Sequence, residues 1–345
     1  MGLHPIAVHG GATDAPHVTL SPHPYRRSRY IGLLLIFCAV FVAGFAVTEI
    51  WRAQDQSLQE EGIPGESTLQ NDALLPPVAE PPSLGIPDGA TPIVTRDLSA
   101  TELGAFYINN ATAYSPSLEA LMETDVSSSI TEAPLVLILH THTSEGYANE
   151  EAEFFEGDVG ELTYTRQEDQ NVLAVGKALA ETLKEKGITA LHCTVMHDQP
   201  SLGGSYERAA ESIRFFLEQY PSIRYVIDLH RDAVMTEAGE YVRAVAETSE
   251  GAVAQVMPVV GSDGGGTPCE NWEGNLALAL QLRAALNAEG TPVCRPIYLR
   301  NSTYNQELAP FSLLLEIGTG GNCIEEAERA AVLVGEELAK LIHPY

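Results

Sequence analysis

The chain has 345 residues, and its 47 aspartates and glutamates outnumber its 19 lysines and arginines, which gives a formal net charge of −28. This acidity excludes nucleic acid as the main partner, because binding to phosphates requires a basic surface. The content of 45% hydrophobic residues excludes a largely disordered chain, and the length suffices for one catalytic domain with accessory segments.

The first 30 residues differ in charge from the rest of the chain. They contain three arginines and one aspartate, a sum of +2, so the other 315 residues sum to −30. An apolar run without charges follows at residues 31–47 and extends to Trp51 at the headgroup level, which predicts one transmembrane helix at residues 31–51. Because basic residues stay on the cytoplasmic side, we expect a cytoplasmic tail at residues 1–30 and an exported acidic body. A cleaved signal peptide is the alternative.

Residues 52–98 have the composition of a linker. Seven prolines interrupt any periodicity between residues 55 and 95, and acidic and small residues fill the intervals. Such a segment is semi-extended and holds a domain away from a membrane. The catalytic domain is therefore predicted at residues 99–345. Its four cysteines have no metal-type spacing, which favours structural thiols or a single bridge over a disulfide framework.

Strand and helix signals alternate through this domain. The apolar run at residues 135–139 predicts a buried strand, and Asn171 begins a helix whose apolar residues recur at helical spacing. Further strands are predicted at residues 188–196, 223–229, 256–260 and 312–317, and further helices at residues 206–218, 275–287 and 325–342. This alternation predicts an α/β fold with a mostly parallel sheet that is covered by helices on both faces.

Histidines and acidic residues follow several of the predicted strands. His142 and Glu145 come after the run at residues 135–139, and His230 follows the strand at residues 223–229. In parallel sheets the carboxyl ends of the strands meet at one edge, where ligands bind. A catalytic zinc ion requires three nitrogen or oxygen ligands and one open position. The spacing H-x-x-E and the separate histidine therefore predict Zn²⁺ ligands at His142, Glu145 and His230.

Glu316 interrupts the otherwise apolar run at residues 312–317 and is expected at the end of a buried strand. Hydrolysis at zinc needs a carboxylate that is not a ligand and that shuttles the proton. Glu316 is the predicted general base.

Several other polar residues leave alternatives open. His140 and His142 stand at alternate positions, so both are able to face the site. Glu168 competes with Glu145 for the third ligand position, although its polar surroundings favour a solvated face. The glycine-rich stretches lack the order of a dinucleotide site. The candidates for substrate binding or for support of the metal ligands are His140, His197, Asp228, Arg231 and Asp232.

These residues lie in motifs that resemble the stage II sporulation protein P family. The motifs LILHTHTSEGY, VMHDQPSLGGSYERA, YPSIRYVIDLHRDA and YNQELAPFSLLLEIGTGGN follow one another in the order of that family. The resemblance covers about residues 100–345, and the single membrane span with a variable linker is similar as well. It implies a zinc-dependent N-acetylmuramoyl-L-alanine amidase of endospore-forming bacteria that also acts as an endopeptidase on stem-peptide cross-links.

The resemblance also implies a fold similar to zinc amidases and zinc carboxypeptidases, and a set of site residues. The two histidines and the glutamate of the family's metal site match His142, His230 and Glu145, and its general base matches Glu316. In the closest amidases the glutamate ligand follows a longer gap, which leaves Glu168 as the other candidate. The segment HDQPSLGGSY would border the substrate groove, with His197, Ser205 and Tyr206 as candidate contacts.

Substrate, partners and location are implied in the same way. The implied substrate is the peptidoglycan of the septal wall, which the family degrades during engulfment. The implied partners are stage II sporulation proteins D and M at the mother-cell membrane, with the catalytic domain on the exoplasmic side.

Two other functions fit the sequence. The first is a zinc peptidase that acts only on stem peptides; a carboxypeptidase would need an arginine clamp for the terminal carboxylate, and Arg231, Arg295 and Arg300 are the candidates. The second is a non-catalytic protein that binds peptidoglycan and activates a partner.

Overall fold

The computed structural model describes residues 86–104, 106–157, 160, 163–249, 251–288 and 290–344. The predicted cytoplasmic tail at residues 1–30, the predicted membrane span at residues 31–51 and most of the predicted linker lie outside these ranges. Within them, no helix is both long enough and apolar enough to cross a membrane.

The described residues form eleven strands and five α-helices. The strands are β1 Thr91–Arg96, β2 Ile108–Asn110, β3 Val136–Leu139, β4 Phe154–Phe155, β5 Ala190–His192, β6 Tyr225–Asp232, β7 Tyr241–Thr248, β8 Gly251–Ala254, β9 Val256–Gly261, β10 Ile297–Arg300 and β11 Phe311–Thr319. The helices are α1 Leu118–Glu123, α2 Val172–Glu185, α3 Ser205–Gln219, α4 Trp272–Leu286 and α5 Ile324–Ile342. Each strand and helix predicted from the sequence is present, with shifted ends.

Seven strands form the main sheet in the order β2-β10-β9-β11-β6-β3-β5. Strand β6 pairs in parallel with both β11 and β3, β3 pairs in parallel with β5, and β10 pairs in parallel with β2 and β9. Only the β9–β11 pair of this sheet is antiparallel. The sheet is therefore mostly parallel, as the alternation of strands and helices predicted.

A second sheet of four strands has the order β4-β1-β7-β8, and the sequence pattern did not reveal it. Strand β1 lies inside the segment that was predicted as linker, and it pairs in parallel with β7. The folded part of the chain thus begins before residue 99. Pairing with a strand almost 150 residues further along the chain is not visible in local composition.

Helices cover both faces of the main sheet. Strand β3 contacts both helical layers, because successive side chains of a strand point to opposite faces. Val136 and Ile138 belong to the larger hydrophobic core, together with the apolar faces of α2, α4 and α5. Leu137 and Leu139 belong to a smaller core with Ala209 and other residues of α3. Strand β3 is fully buried between these two layers, so its carboxyl end is held in place from both sides.

The four cysteines in the described ranges are buried free thiols: Cys193, Cys269, Cys294 and Cys323. They contribute apolar packing, which agrees with the interpretation as structural thiols.

Candidate metal and catalytic site

Strands β3, β6 and β11 run in parallel, and their carboxyl ends bring the predicted residues together at one edge of the sheet. Glu316 of β11 is the register partner of His230 of β6, and Asp228 of β6 is the partner of the last residue of β3. Residues 228 and 230 lie on the same face because they are two apart in one strand. The backbone register therefore places a histidine and two carboxylates on one face of the sheet.

The turn after β3 is held by hydrogen bonds from both flanks. Thr141 donates its backbone N–H and its hydroxyl to the two carboxylate oxygens of Asp228, at 2.8 and 2.6 Å. Ser144 donates its N–H to Asp198 Oδ2 at 2.7 Å, and its hydroxyl contacts the same oxygen. Buried charge-assisted bonds of this kind fix a backbone strongly. The turn therefore presents His142 and Glu145 to β6 in a defined geometry.

His230 is the centre of the cluster. Its Nδ1 lies 3.5 Å from Glu145 Oε2, and its Nε2 lies 3.1 Å from Asp228 Oδ1. The ring of His142 meets the ring of His230 edge-on, with 5.2 Å between the centroids. Glu145 also accepts the backbone N–H of Arg231 at 2.8 Å. The structure thus brings together His142, Glu145, His230 and Asp228, and all except the partly open His142 ring are buried.

Two carboxylates and one imidazole in this cluster polarise one another. Burial opposes charge on the His230 imidazole, but Asp228 and Glu145 hold its pKa well above the usual value. Burial likewise opposes charge on these two carboxyls, yet His230 holds the pKa of each below its usual value. The cluster therefore stabilises positive charge at its centre, which is the environment that a bound cation would also meet.

The pKa of Glu316 shifts in the opposite direction to the pKa values of Glu145 and Asp228. Burial, and next the charge of Asp232, raise the pKa of its carboxyl to about 8. A group with a pKa near neutrality is able both to take up and to release a proton at physiological pH. Glu316 is thus fitted to exchange protons beside the histidine–glutamate cluster.

The donor types in the cluster fit zinc. His142 Nδ1 and Glu316 Oε2 are buried and have no hydrogen-bond partner in the described structure. Buried polar atoms are normally paired, so such atoms mark a site where a ligand belongs. Across the described ranges, no three His, Cys, Asp or Glu side chains already converge as a bound ion would require. The imidazole nitrogens and the adjacent Glu145 carboxylate are nevertheless the ligands that zinc takes.

His140 lies apart from His142. Its Nδ1 lies 3.1 Å from the carbonyl oxygen of Leu229, and its Nε2 lies 2.8 Å from His192 Nε2. Burial and the neighbouring His192 lower the pKa of His140 to about 3. Strand β3 ends at Leu139, so the alternation that would put residues 140 and 142 on one side does not continue into the turn.

His197 and Glu168 also lie outside the cluster. His197 Nδ1 donates to the carbonyl oxygen of His140 at 2.8 Å, and its Nε2 lies 2.8 Å from the Ser212 hydroxyl. Both ring nitrogens are therefore engaged in supporting the turn. Glu168 is exposed at the surface, whereas Glu145 is buried against His230.

Arg231 and Asp232 are buried beside the cluster and contact protein groups. Arg231 donates from Nε to the carbonyl oxygen of Gly146 at 3.1 Å and from Nη2 to that of Thr163 at 2.7 Å. Asp232 accepts Arg295 Nη1 at 2.8 Å. These contacts brace the segment that carries Glu145 and the end of β6.

Two residues at the site were missed by sequence reasoning. Asp198, which holds Ser144, directly follows His197 in the sequence, and only its burial and its two contacts reveal its role. Tyr304 lies in a polar loop, and its ring packs near Tyr206, with 6.0 Å between the centroids. Tyr304 begins one of the motifs that resemble the family, but nothing in that motif singles it out from its neighbours.

The fold and the cluster together define an α/β domain with a candidate metal-dependent site at the carboxyl edge of its sheet. Comparison with known proteins adds the family: the profile of stage II sporulation protein P matches residues 96–339. The chain belongs to this family, which confirms the resemblance in the sequence motifs. It is 27% identical over 208 residues to stage II sporulation protein P of Bacillus subtilis (strain 168); the match covers 57% of this chain and 48% of that relative.

Solved structures of N-acetylmuramoyl-L-alanine amidases are also similar to the chain. The catalytic domain of CwlV from Bacillus (Paenibacillus) polymyxa var. colistinus has 11% identity and a TM-score of 0.35, covering 60% of this chain and 95% of that one. The amidase of Clostridium difficile 630 has 13% identity and a TM-score of 0.37, covering 61% and 95%. Both amidases share little sequence identity with the chain.

Proposed function

We propose that the protein is a zinc-dependent peptidoglycan hydrolase that cleaves the amide bond between N-acetylmuramic acid and L-alanine, with cleavage of stem-peptide cross-links as a second activity. The observation that carries this proposal is the pairing of Glu316, with its raised pKa, against His230 inside a buried histidine–glutamate cluster. Family membership supports the substrate class. The match covers only 48% of the Bacillus relative, so the identity of the cleaved bond is part of the proposal.

The residues of the cluster have separate roles in metal binding, proton transfer and positioning. His142, Glu145 and His230 would hold zinc, and when bound this ion supplies a Lewis acid that polarises the carbonyl and lowers the pKa of water. Glu316 accepts a proton from the attacking water and delivers it to the nitrogen that leaves. Asp228 holds the turn of His142 through Thr141, and the Arg231 backbone N–H orients Glu145. Burial of the cluster keeps competing water out.

The contacts of the arginines argue against a carboxypeptidase. Arg231 donates to backbone carbonyls, and Arg295 is paired with Asp232. Arg300 contacts the carbonyl oxygen of Asn109 and stacks on Tyr298. Each candidate for a clamp on a terminal carboxylate is thus engaged elsewhere. A non-catalytic activator would have no need of a proton-exchanging Glu316, so we favour an enzyme.

The proposal includes a location and partners. We expect anchoring through residues 31–51, with the domain facing the septal wall, and action together with stage II sporulation proteins D and M. These expectations rest on the apolar run, on the charge asymmetry and on the family.

The experiment is digestion of purified sacculi by the zinc-loaded protein and mass spectrometry of the products. New L-alanine amino termini are expected, and chelation of zinc should abolish their release. If the products contain only shortened or uncrosslinked stems, the protein is a peptidase and not an amidase. Digestion that is unchanged by chelation would contradict the zinc mechanism.

The variant Glu316→Gln tests whether Glu316 is a general base or a zinc ligand. It is expected to lower turnover at least about 100-fold, because proton shuttling is lost, while zinc content stays unchanged. Glu307→Gln is the matched control, since Glu307 has a buried carboxylate oxygen in the 3₁₀ turn Gln306–Leu308, before β11. Loss of zinc in Glu316→Gln would identify Glu316 as a ligand.

A further inference from the structure

Tyr206, the second residue of α3, borders the cluster. Its ring meets the ring of His142 edge-on, with 5.6 Å between the centroids, and it lies 6.0 Å from the ring of Tyr304. The side chain is partly buried, and no described residue forms a hydrogen bond with its hydroxyl. A phenol oxygen in such a place usually has a partner. Its position beside the metal-site histidine points to a partner that arrives with the substrate.

A strained loop holds this tyrosine. Tyr304 and Asn305 both have left-handed backbone conformations, with φ of 53° and 60°. Asn305 Nδ2 donates to the backbone carbonyl of Tyr206 at 2.8 Å. The loop passes close over Gly261, where a Cβ atom would lie only 2.3 Å from the carbonyl oxygen of Ser302. Strain of this kind persists only where the surroundings impose it, and it is common next to active sites.

Hydrolysis of an amide creates negative charge on the carbonyl oxygen, which requires hydrogen-bond donors. The charged donors near the cluster are committed: Arg231 to carbonyl oxygens and Arg295 to Asp232. Thr141 donates to Asp228. The Tyr304 hydroxyl interacts with the Ser302 side chain. Among these groups, the hydroxyl of Tyr206 is the donor without an acceptor.

We infer that Tyr206 is a catalytic residue whose hydroxyl donates a hydrogen bond to the carbonyl oxygen of the amide being cleaved, and that Asn305 is the residue that positions it. The inference rests on the proposed function and adds a residue to it. As water attacks the carbonyl carbon, the C=O electron pair moves onto oxygen, where the Tyr206 hydroxyl stabilises it. When this pair returns, the C–N bond breaks, and the nitrogen receives its proton from Glu316. Tyr206 keeps its own proton throughout.

The electrostatics agree with this role. Burial, and next the charge of Asp228, raise the pKa of the Tyr206 hydroxyl well above its usual value. The group therefore stays protonated at neutral pH and is available as a donor.

The test compares Tyr206→Phe with wild type in the full, zinc-loaded chain, on soluble muramyl-peptide and stem-peptide fragments. Removal of one oxyanion donor is expected to lower kcat about 100-fold, with KM changed less than about threefold. Tyr220→Phe is the matched control, because Tyr220 is exposed at the far end of α3 and the variant also loses one hydroxyl; its kcat should stay within about threefold of wild type. Zinc affinity and thermal midpoint should be the same for all three proteins.

A second variant tests the inference at Asn305, the residue that positions Tyr206. Asn305→Gly permits the left-handed backbone but removes the hydrogen bond to Tyr206. Its kcat should fall several-fold, and the double variant with Tyr206→Phe should be no slower than Tyr206→Phe alone, because both act through one hydroxyl. If Tyr206→Phe turns over like wild type, the inference is wrong and the proposed function stands. If wild type cleaves neither fragment, both the proposed function and the inference are wrong.

Discussion

At the scale of single residues, two glutamates are candidates for the same ligand position. Glu145 is 7% exposed, accepts the Arg231 backbone N–H and lies 3.5 Å from His230 Nδ1. Glu168 is exposed and contacts none of these groups through any described interaction. Spacing alone could not distinguish them, because the turn that returns Glu145 to β6 is held by tertiary contacts with Asp198 and Asp228.

We expect Glu145→Gln to weaken zinc binding at least about 100-fold, because the variant removes a charged oxygen ligand from a buried site. Competition with a chromogenic zinc chelator measures the dissociation constant. Glu168→Gln removes the same charge at an exposed position and should change the constant less than about twofold. Equal affinity in wild type and Glu145→Gln, with a loss in Glu168→Gln, would move the ligand to residue 168.

At the scale of secondary-structure elements, the contact between α2 and the end of β3 depends on a glycine. Gly176 lies in the buried face of α2. A Cβ atom there would stand 2.6 Å from both His140 Nε2 and His192 Nε2. The His140 imidazole is not free to move far, since it is buried and also in contact with the Leu229 carbonyl oxygen.

Gly176→Ala should therefore lower the free energy of unfolding by about 1–3 kcal/mol, because overpacking outweighs the gain in helix propensity of about 0.5–1 kcal/mol. Denaturant titration measures this change. Gly274→Ala in α4 is the control: its new methyl group would meet Phe311 at an ordinary 3.5 Å, so no loss is expected. A stabilised Gly176→Ala would show that the histidine pair is loosely packed.

The elements that the sequence predicted are those with strong local signals. The run of β3 is continuous and apolar, and those of β6 and β11 are mostly apolar up to the site residues. Asn171 caps α2 by accepting the Leu173 backbone N–H at 2.9 Å. The short second sheet was not predicted, because its strands are defined by their partners. The direction of His140 was not predictable either, since it depends on where β3 ends. Periodicity describes an element but not the residue at which it stops.

At the scale of the whole molecule, the charge distribution remains the main guide to topology. The sum of +2 over residues 1–30 and −30 over the remainder straddles the apolar run at residues 31–51. Because basic residues stay on the cytoplasmic side, this asymmetry agrees with the proposed anchor and with the proposed export of the acidic domain.

The proposed anchor predicts the behaviour of the intact chain in a membrane. Full-length protein should resist alkaline extraction, and protease added on the exoplasmic side should digest the domain but spare a tag on the N-terminus. Val40→Arg places a charge near the centre of the run, at a cost of about 2.5–3.5 kcal/mol, and should shift protein to the soluble fraction; Val40→Leu is the control. A mature chain that begins shortly after residue 51 would instead identify the run as a cleaved signal peptide. In that case the charge asymmetry would direct export only, and the domain would reach the wall without a tether.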